Sequence, residues 1–192
     1  MPSRDEYRLA CDRFVDAVRE LCATPAARYA LEAGHGRPVD HCPGLHKYLS
    51  SLVKGRPARH AHYTVASLIA QQRPDPEHPD SDCRPGVRPA WSQRLSLGAA
   101  LARSAGREPP GSPMERELQI LVRLQSGLLH RRLHLLHPRL LQAGHPPDPA
   151  RLLDDLIGWE FNRPAVRTRW LDAFYCTPEP EPELPPSPGD LS

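Results

Sequence analysis

Histidine is the residue type whose number and spacing most invite a chemical role, because the chain holds ten of them. His130, His134 and His137 follow one another at i, i+4 and i+7, so on a helix they would share one face and could converge on a metal ion. No acidic or cysteine ligand accompanies them, and the flanking Arg131 and Arg132 would repel a cation. We therefore expect exposed or helix-capping histidines, no metal site and no cofactor.

Nucleophilic and acid–base chemistry has little support either. His41 and Cys42 are adjacent but lack partners at ligand spacing, so a small Cys–His enzyme remains only an alternative. Asp154 and Asp155 would point about 100° apart on a helix, which indicates two solvent-facing charges rather than an acid–base pair. The chain has no G-x-S-x-G, no H-E-x-x-H and no glycine-rich phosphate loop. These observations predict a protein that is not an enzyme.

Phosphate binding is the chemistry that the basic residues could perform. The chain has 25 basic residues, and Lys47 and Lys54 are its only lysines. Four of the 23 acidic residues follow Cys176, so the rest of the chain holds 25 basic against 19 acidic residues, a net charge of +6. The planar fork of arginine can donate two parallel hydrogen bonds to a phosphate. The composition thus favours a polyanionic partner, and arginines that serve only solubility are the alternative.

The spacing of the arginines places several of them on common helix faces. Arg116 and Arg123 are seven residues apart, Arg132 and Arg139 repeat that spacing, and Arg163 and Arg167 lie at i and i+4. Such faces could follow a phosphate backbone without reading bases. The predicted nucleic-acid-binding residues are Arg28, Lys47, Lys54, Arg56, Arg59, Arg116, Arg123, Arg131, Arg132, Arg139, Arg163 and Arg167.

The elements that position these residues are predicted to be helices, since no window alternates apolar and polar residues. Ser112, Pro113 and Glu115 form a capping box with proline at the first helical position. We expect that helix to reach about Leu124 and Gly127 to separate it from the next. Further helices are predicted at about Arg4–Cys22, Thr24–Ala33, Gly44–Val53, Arg59–Gln72, Leu95–Ala105, Leu128–Gln142 with a kink or new segment at Pro138, from Asp148 and Pro149 onward, and from near Pro164 onward.

The fold class is therefore all-α, with eight to nine helices in two lobes. Residues 1–72 form the predicted N-terminal lobe, and residues 92–176 the C-terminal lobe, whose helices from Ser112 onward form a four-helix bundle because their connections are short. Residues 73–91 are predicted to be a flexible proline-rich loop. Residues 177–192 are predicted to be a disordered acidic tail, because they contain too few hydrophobic residues to order themselves.

Cysteine usage indicates the compartment. The five cysteines are odd in number, and no pair has C-x-x-C spacing. There is no signal-peptide pattern and no apolar run of about 20 residues, the length that a membrane span requires. We expect buried thiols such as Cys11, no disulfides, no membrane contact and a cytoplasmic location.

Several segments, in order, resemble the motifs of one family. Residues 95–102, LSLGAALA, are similar to S-L-G-x-x-L-A, and residues 114–123 resemble the helix motif E-R-R-x-x-x-L-(L/I)-R. Residues 148–159 are similar to D-W-x-x-L-L-x-D-L-x-x-W, and residues 166–175 to V-x-x-x-W-A-x-x-F-Y. With ARYAL at 27–31, which is similar to R-A-x-L, the order resembles the CasB family, the small subunit of the type I-E CRISPR Cascade surveillance complex.

This resemblance implies a non-catalytic antiviral subunit that stabilises target DNA strands in the R-loop through a basic surface, while base pairing with the guide RNA reads the sequence. It implies contact with the backbone and large Cascade subunits, with the CRISPR guide RNA in the complex, and with the target and displaced DNA strands. It also implies a homodimer. Arg28, Arg116 and Arg123 match arginines of the motifs, whereas Glu117 stands in place of the second arginine of E-R-R. A purely structural helical adaptor without nucleic-acid contact is the alternative.

Overall fold

The computed structural model describes residues 3–72, 88–106 and 111–176. Within these ranges the chain is helical and has no strand, so the predicted all-α fold is confirmed. Most of the predicted proline-rich loop, residues 73–87, and the predicted tail, residues 177–192, lie outside the described residues. The eight α-helices of the described part are α1 (Arg4–Cys22), α2 (Pro25–Glu32), α3 (Pro43–Leu49), α4 (Arg59–Gln71), α5 (Leu97–Ala105), α6 (Pro113–Leu121), α7 (Ser126–Gln142) and α8 (Pro149–Tyr175).

Polar side chains cap the helices where the sequence predicts. The Ser112 hydroxyl accepts a hydrogen bond from the Glu115 N–H at 3.1 Å, and the Asp148 carboxylate accepts one from the Arg151 N–H at 2.8 Å. The predicted capping box is only half formed, because the Glu115 carboxylate accepts the N–H of Gly111 outside the helix instead of the N–H of Ser112. The cap itself therefore starts α6 as expected.

Helix α8 consists of two helical segments that meet at Asn162. This residue leaves helical geometry, with φ −146° and ψ 65°, and its side chain accepts a hydrogen bond from the Ala165 N–H at 3.4 Å. The break lies two residues before Pro164, whose ring would clash with the carbonyl four residues earlier in an unbroken helix. The prediction of a last helix that begins near Pro164 is confirmed.

Helix α7 differs from its prediction at two positions, Gly127 and Pro138. It begins at Ser126 and includes Gly127, so the break after α6 falls before that glycine, at residues 122–125. It also continues through Pro138 to Gln142, and no new segment starts there. The spacing of four leucines at i, i+4, i+7 and i+11 in the sequence predicts one buried face of this helix, and all four are buried: Leu129, Leu133, Leu136 and Leu140.

Helix α4 is the centre of the core. Every residue from Ala61 to Ala70 is buried, and the helix packs against α1, α2, α7 and α8. Such all-round burial requires a helix without lysine, arginine or carboxylate over those ten residues, which the sequence HYTVASLI between the two alanines provides. Helix α8 also contacts α1, so α7 and α8 pack on helices of the N-terminal half. The division into two lobes at residues 73–91 stays a prediction.

Two tryptophans and one glycine determine how α5 lies against α8. Trp159 and Trp170 are buried and stacked, with ring centroids 5.0 Å apart and an interplanar angle of 22°. A Cβ atom at Gly98 would lie 2.1 Å from the carbonyl oxygen of Trp170, so only glycine permits this approach. This contact explains the glycine of the LSLGAALA segment.

No helix in the described ranges is long and apolar enough to cross a membrane.

Candidate nucleic-acid interface

Four arginines on the outer faces of α6 and α7 are exposed. They are Arg116 and Arg123 on or just after α6, and Arg131 and Arg139 on α7. Within the described part of the chain, none of their guanidinium groups has a hydrogen-bond or ion-pair partner. Helix α7 contains no acidic residue over its 17 positions, so its outer face carries only positive or neutral side chains. These four side chains are free to meet a phosphate.

Arg132 is engaged inside the protein. Its Nε and Nη2 atoms donate to the two carboxylate oxygens of Glu117 at 2.5 and 2.6 Å. Glu117 is buried, with 4% of its surface exposed, and the hydrogen bonds that Arg132 donates to this carboxylate raise the pKa of Arg132. Glu117, which stands in place of the second arginine of the E-R-R motif, thus forms an ion pair with an arginine of the next helix. The pair joins α6 to α7.

Arg163 and Arg167 lie over the ring of Trp159. Each guanidinium carbon is 5.6 Å from that ring's centroid, a distance at which a cation is attracted to the aromatic face. Both side chains are half-buried. Both side chains therefore lie over the core tryptophan and are only partly open to solvent.

The five predicted binding residues of the N-terminal half also divide into engaged and exposed side chains. Arg28 donates to the carbonyl of Cys22 at 3.1 Å, and Arg56 donates to the carbonyl of Ala10 at 3.4 Å. Both are half-buried and link neighbouring backbone segments. The remaining three are exposed, and one of them, Lys47, lies 5.4 Å from the ring centroid of the adjacent tyrosine: Lys47, Lys54 and Arg59.

Sequence reasoning missed a second group of arginines, around Trp91. Arg8, Arg94 and Arg151 all lie with their guanidinium carbons 4.7 to 5.8 Å from this ring's centroid. Arg94 donates to both carboxylate oxygens of Asp12 at 2.5 and 3.1 Å, and 7% of its side chain is exposed. The group ties α1 to residues 91–94 and to α8. No local pattern could reveal it, since its members come from three distant parts of the chain.

The three histidines of α7 are buried, which corrects the expectation of exposed or helix-capping side chains. The His134 ring nitrogen lies 2.6 Å from the Nδ1 atom of His35, and the His130 ring stacks on His60 with centroids 3.9 Å apart. Burial lowers the pKa of His134 and of His137 to about 4. The reason is that this face of α7 is the one that packs against α4. Within the described residues, no group of three or more potential ligands could hold a metal ion.

The neighbouring carboxylates of α8 also differ from their prediction. Asp155 is 1% exposed, and its two oxygens accept hydrogen bonds from the Trp170 indole N–H and from Arg169, each at 2.7 Å. It is therefore a core residue rather than a solvent-facing charge. Asp154, the preceding residue, is half-buried. The partners of Asp155 lie 14 and 15 residues away, on the other side of the break at Asn162, which is why spacing alone could not identify them.

The adjacent His41 and Cys42 do not face each other as a nucleophile and base. The Cys42 thiol donates to the carbonyl of Gly34 at 3.7 Å, and burial raises its pKa. The His41 side chain is 66% exposed and lies beside Asp40. Cys11, Cys22 and Cys42 are buried free thiols as predicted, Cys176 is exposed, and Cys83 is outside the described residues.

In the described residues the fold and the site define an all-helical protein whose α7 histidines, Glu117 and Asp155 are buried in structural contacts and whose outer arginines on α6 and α7 have no partner. A family model described as CRISPR-associated protein Cse2 matches residues 27–175. The chain belongs to this Cse2 family. The match includes every α-helix from α3 to α8 and stops before the acidic residues that follow Cys176.

Solved structures resemble the chain over most of its length. One, titled CRISPR RNA-guided surveillance complex, has a TM-score of 0.70 and 25% identity and covers 88% of this chain and 94% of that chain. A CRISPR-associated protein of the Cse2 family from Thermus thermophilus has a TM-score of 0.63 and 26% identity, over 86% of this chain and 97% of the other. A structure of CasB from Thermus thermophilus has a TM-score of 0.62 and 26% identity, with the same coverage. Among curated protein sequences, none matches the chain.

Proposed function

We propose that this chain is a non-catalytic small subunit of a type I-E RNA-guided CRISPR surveillance complex, where it stabilises target DNA strands in the R-loop. The observation that carries the proposal is the set of exposed arginines without partners in the described residues, Arg116, Arg123, Arg131 and Arg139. Membership of the Cse2 family and the likeness to a structure titled as a surveillance complex support the assembly. Its partners are the backbone and large subunits, the guide RNA, both DNA strands and a second copy of the chain, in the cytoplasm.

The physical basis is charge neutralisation. Each arginine that meets a phosphate releases condensed counterions, which makes binding favourable at low salt and indifferent to sequence. That indifference suits a complex in which guide-RNA pairing reads the target. The buried histidines and the raised pKa values of the Cys11 and Cys42 thiols support a subunit without its own reaction, because none of these groups is an exposed base or thiolate.

A structural adaptor without nucleic-acid contact is the second candidate. It is favoured by the number of predicted binding residues that already have partners within the chain. These are Arg28, Arg56, Arg132, Arg163 and Arg167. In the adaptor, the remaining exposed arginines would serve protein contacts and solubility.

The decisive experiment compares two quadruple variants in the reconstituted complex. One changes Arg116, Arg123, Arg131 and Arg139 to Ala. The control changes four other exposed arginines and removes the same charge: Arg4→Ala, Arg13→Ala, Arg37→Ala and Arg103→Ala. Target-DNA affinity is measured as a function of salt concentration for each.

We expect the first variant to weaken binding and to flatten the plot of log affinity against log salt by about three units, since each single-strand phosphate contact contributes about 0.7. The control should keep a slope close to that of the unmodified complex. Equal slopes for both variants and the unmodified complex, with full incorporation of the subunit, would reject the DNA contact and leave the adaptor.

A further inference from the structure

The outer face of α6 combines two free cations with one exposed apolar side chain. Arg116 and Ile120 lie at i and i+4 on α6, and Arg123 lies in the turn two residues after the helix ends, with its N–H donating to the Ile120 carbonyl at 3.0 Å. Ile120 is 43% exposed, and both arginines are exposed without a partner in the described residues. We call these three residues the α6 face. An anionic segment with some apolar character would complement it better than a neutral one.

The C-terminal end of α8 lies beside the N-terminal end of the α6 face. The Tyr175 hydroxyl at the end of α8 donates to the Glu115 carboxylate at 2.8 Å, and Glu115 directly precedes Arg116. Glu115 also accepts the N–H of Gly111, so its charge is already engaged. Whatever follows Cys176 therefore begins within a short distance of the first arginine of the α6 face.

The residues that follow have the complementary composition. Segment 177–192, outside the described residues, carries Glu179, Glu181, Glu183 and Asp190 and no lysine or arginine. Prolines separate the three glutamates, and Leu184 follows them. At about 3.1 Å per residue in an extended proline-rich conformation, Glu179 and Glu183 would be about 12 Å apart. Arg116 and Arg123 are separated by the last turns of α6 and the turn that follows, and at the helical rise of about 1.5 Å per residue they would be about 10 Å apart, a similar distance.

We infer that segment 177–192 docks on the α6 face and competes there with nucleic acid. Because the segment is joined to α8, its effective concentration at the face is in the millimolar range, so weak exposed ion pairs suffice. Its carboxylates are spaced about 6 Å apart, whereas one DNA strand carries a charge about every 3.4 Å. A strand that is well placed in the complex would therefore displace the segment, while loosely held nucleic acid would not. The competition rests on the proposed function, but the docking does not.

Site-directed cross-linking tests the docking without DNA. A carbodiimide joins a carboxylate directly to a lysine amine, and the chain has only Lys47 and Lys54. Arg116→Lys and Arg123→Lys keep the charge and add one reactive amine each on the α6 face, and Arg139→Lys adds one on the outer face of α7. We expect peptides that link position 116 or 123 to the segment in at least tenfold higher yield than for position 139. Equal yields at all three positions, or no link at either α6 position, would overturn the inference.

DNA binding tests the competition. In the full chain, Glu179→Gln, Glu181→Gln, Glu183→Gln and Asp190→Asn together should raise affinity for a short single-stranded DNA severalfold at low salt. The gain should vanish when Arg116→Ala and Arg123→Ala are also present and persist with Arg131→Ala and Arg139→Ala. An equal gain in both backgrounds would show a general charge effect and reject competition at α6. If no arginine change altered DNA binding in the reconstituted complex, the proposed function would fail, whereas the cross-links would still decide the docking.

Discussion

Arg132 on α7 donates to both carboxylate oxygens of Glu117 on α6, at 2.5 and 2.6 Å, and Glu117 is almost fully buried. A buried carboxylate is tolerated only when its charge has a partner, because burial removes its hydration. The side chain of Arg132 keeps 39% of its surface exposed, so the pair sits at the rim of the interface between the two helices. Arg131, its neighbour in sequence, is exposed and has no such partner in the described residues.

Changing Arg132 to Ala should lower the free energy of unfolding by about 1–3 kcal/mol, because it leaves a buried charge unpaired. The partial exposure of the pair keeps the expected value below the loss seen for fully buried ion pairs. Urea unfolding followed by circular dichroism measures the effect. Arg131→Ala is the matched control and should change stability by less than about 0.5 kcal/mol. Equal stability of the two variants would show that the ion pair does not hold α6 to α7.

Stability should fall as the pH is lowered from 7 towards 4. The pKa values of His134 and His137 are lowered to about 4 in the folded protein, chiefly by burial, whereas an unfolded histidine titrates near 6.5. Between these two pKa values each histidine is protonated in the unfolded chain but neutral in the folded chain. The free energy of unfolding therefore falls by up to about 1.4 kcal/mol for each pH unit and each histidine. Urea unfolding at pH 7, 6 and 5 gives the slope.

Replacing His134 with Gln should reduce the slope of the unfolding free energy against pH by up to about 1.4 kcal/mol per pH unit, the contribution of one proton. This holds whatever the substitution does to the stability at pH 7. His41→Gln is the control, because the His41 side chain is mostly exposed and should leave the slope unchanged. A slope that is the same in all three proteins would contradict the burial of a neutral His134.

Gly98→Ala should destabilise the protein by about 1–3 kcal/mol or more, since the new methyl group would overlap the backbone carbonyl of Trp170. A backbone atom cannot move aside as the end of a flexible side chain can. Gly127→Ala is the control, because no atom lies within 4 Å of its Cβ position and alanine favours the helix by up to about 1 kcal/mol. Thermal unfolding compares the two, and a stable Gly98→Ala protein would show that α5 and α8 are not in close contact.

Much of the fold could be predicted because helices are coded locally. The burial of Cys11 in α1, the caps at Ser112 and Asp148, and the start of the last segment near Pro164 are all confirmed. Each depends on residues within one or two turns of one another, where helix geometry alone determines which side chains share a face. The break after α6 was misplaced because a single glycine such as Gly127 is tolerated in a first helical turn.

The predicted interface was resolved only in part, because exposure of a charge depends on its neighbours in space. Arg123 and Arg132 look equivalent in sequence, yet one is exposed and the other binds Glu117. The continuity of a basic surface across the helices stays a prediction. The histidines of α7 show the same limit, since their spacing reveals a common face but not that this face meets α4.

By itself, the sequence determined an all-helical chain, the approximate ends of most helices and the leucine core of α7. Tertiary structure alone decided which charges are free: it paired Arg132 with Glu117, buried Asp155 beside Trp170 and bonded Glu115 to Tyr175 at the end of α8. The physical reason is the difference in sequence separation over which these effects act. Helix periodicity acts over a few residues, whereas desolvation and charge pairing depend on segments that only packing brings together.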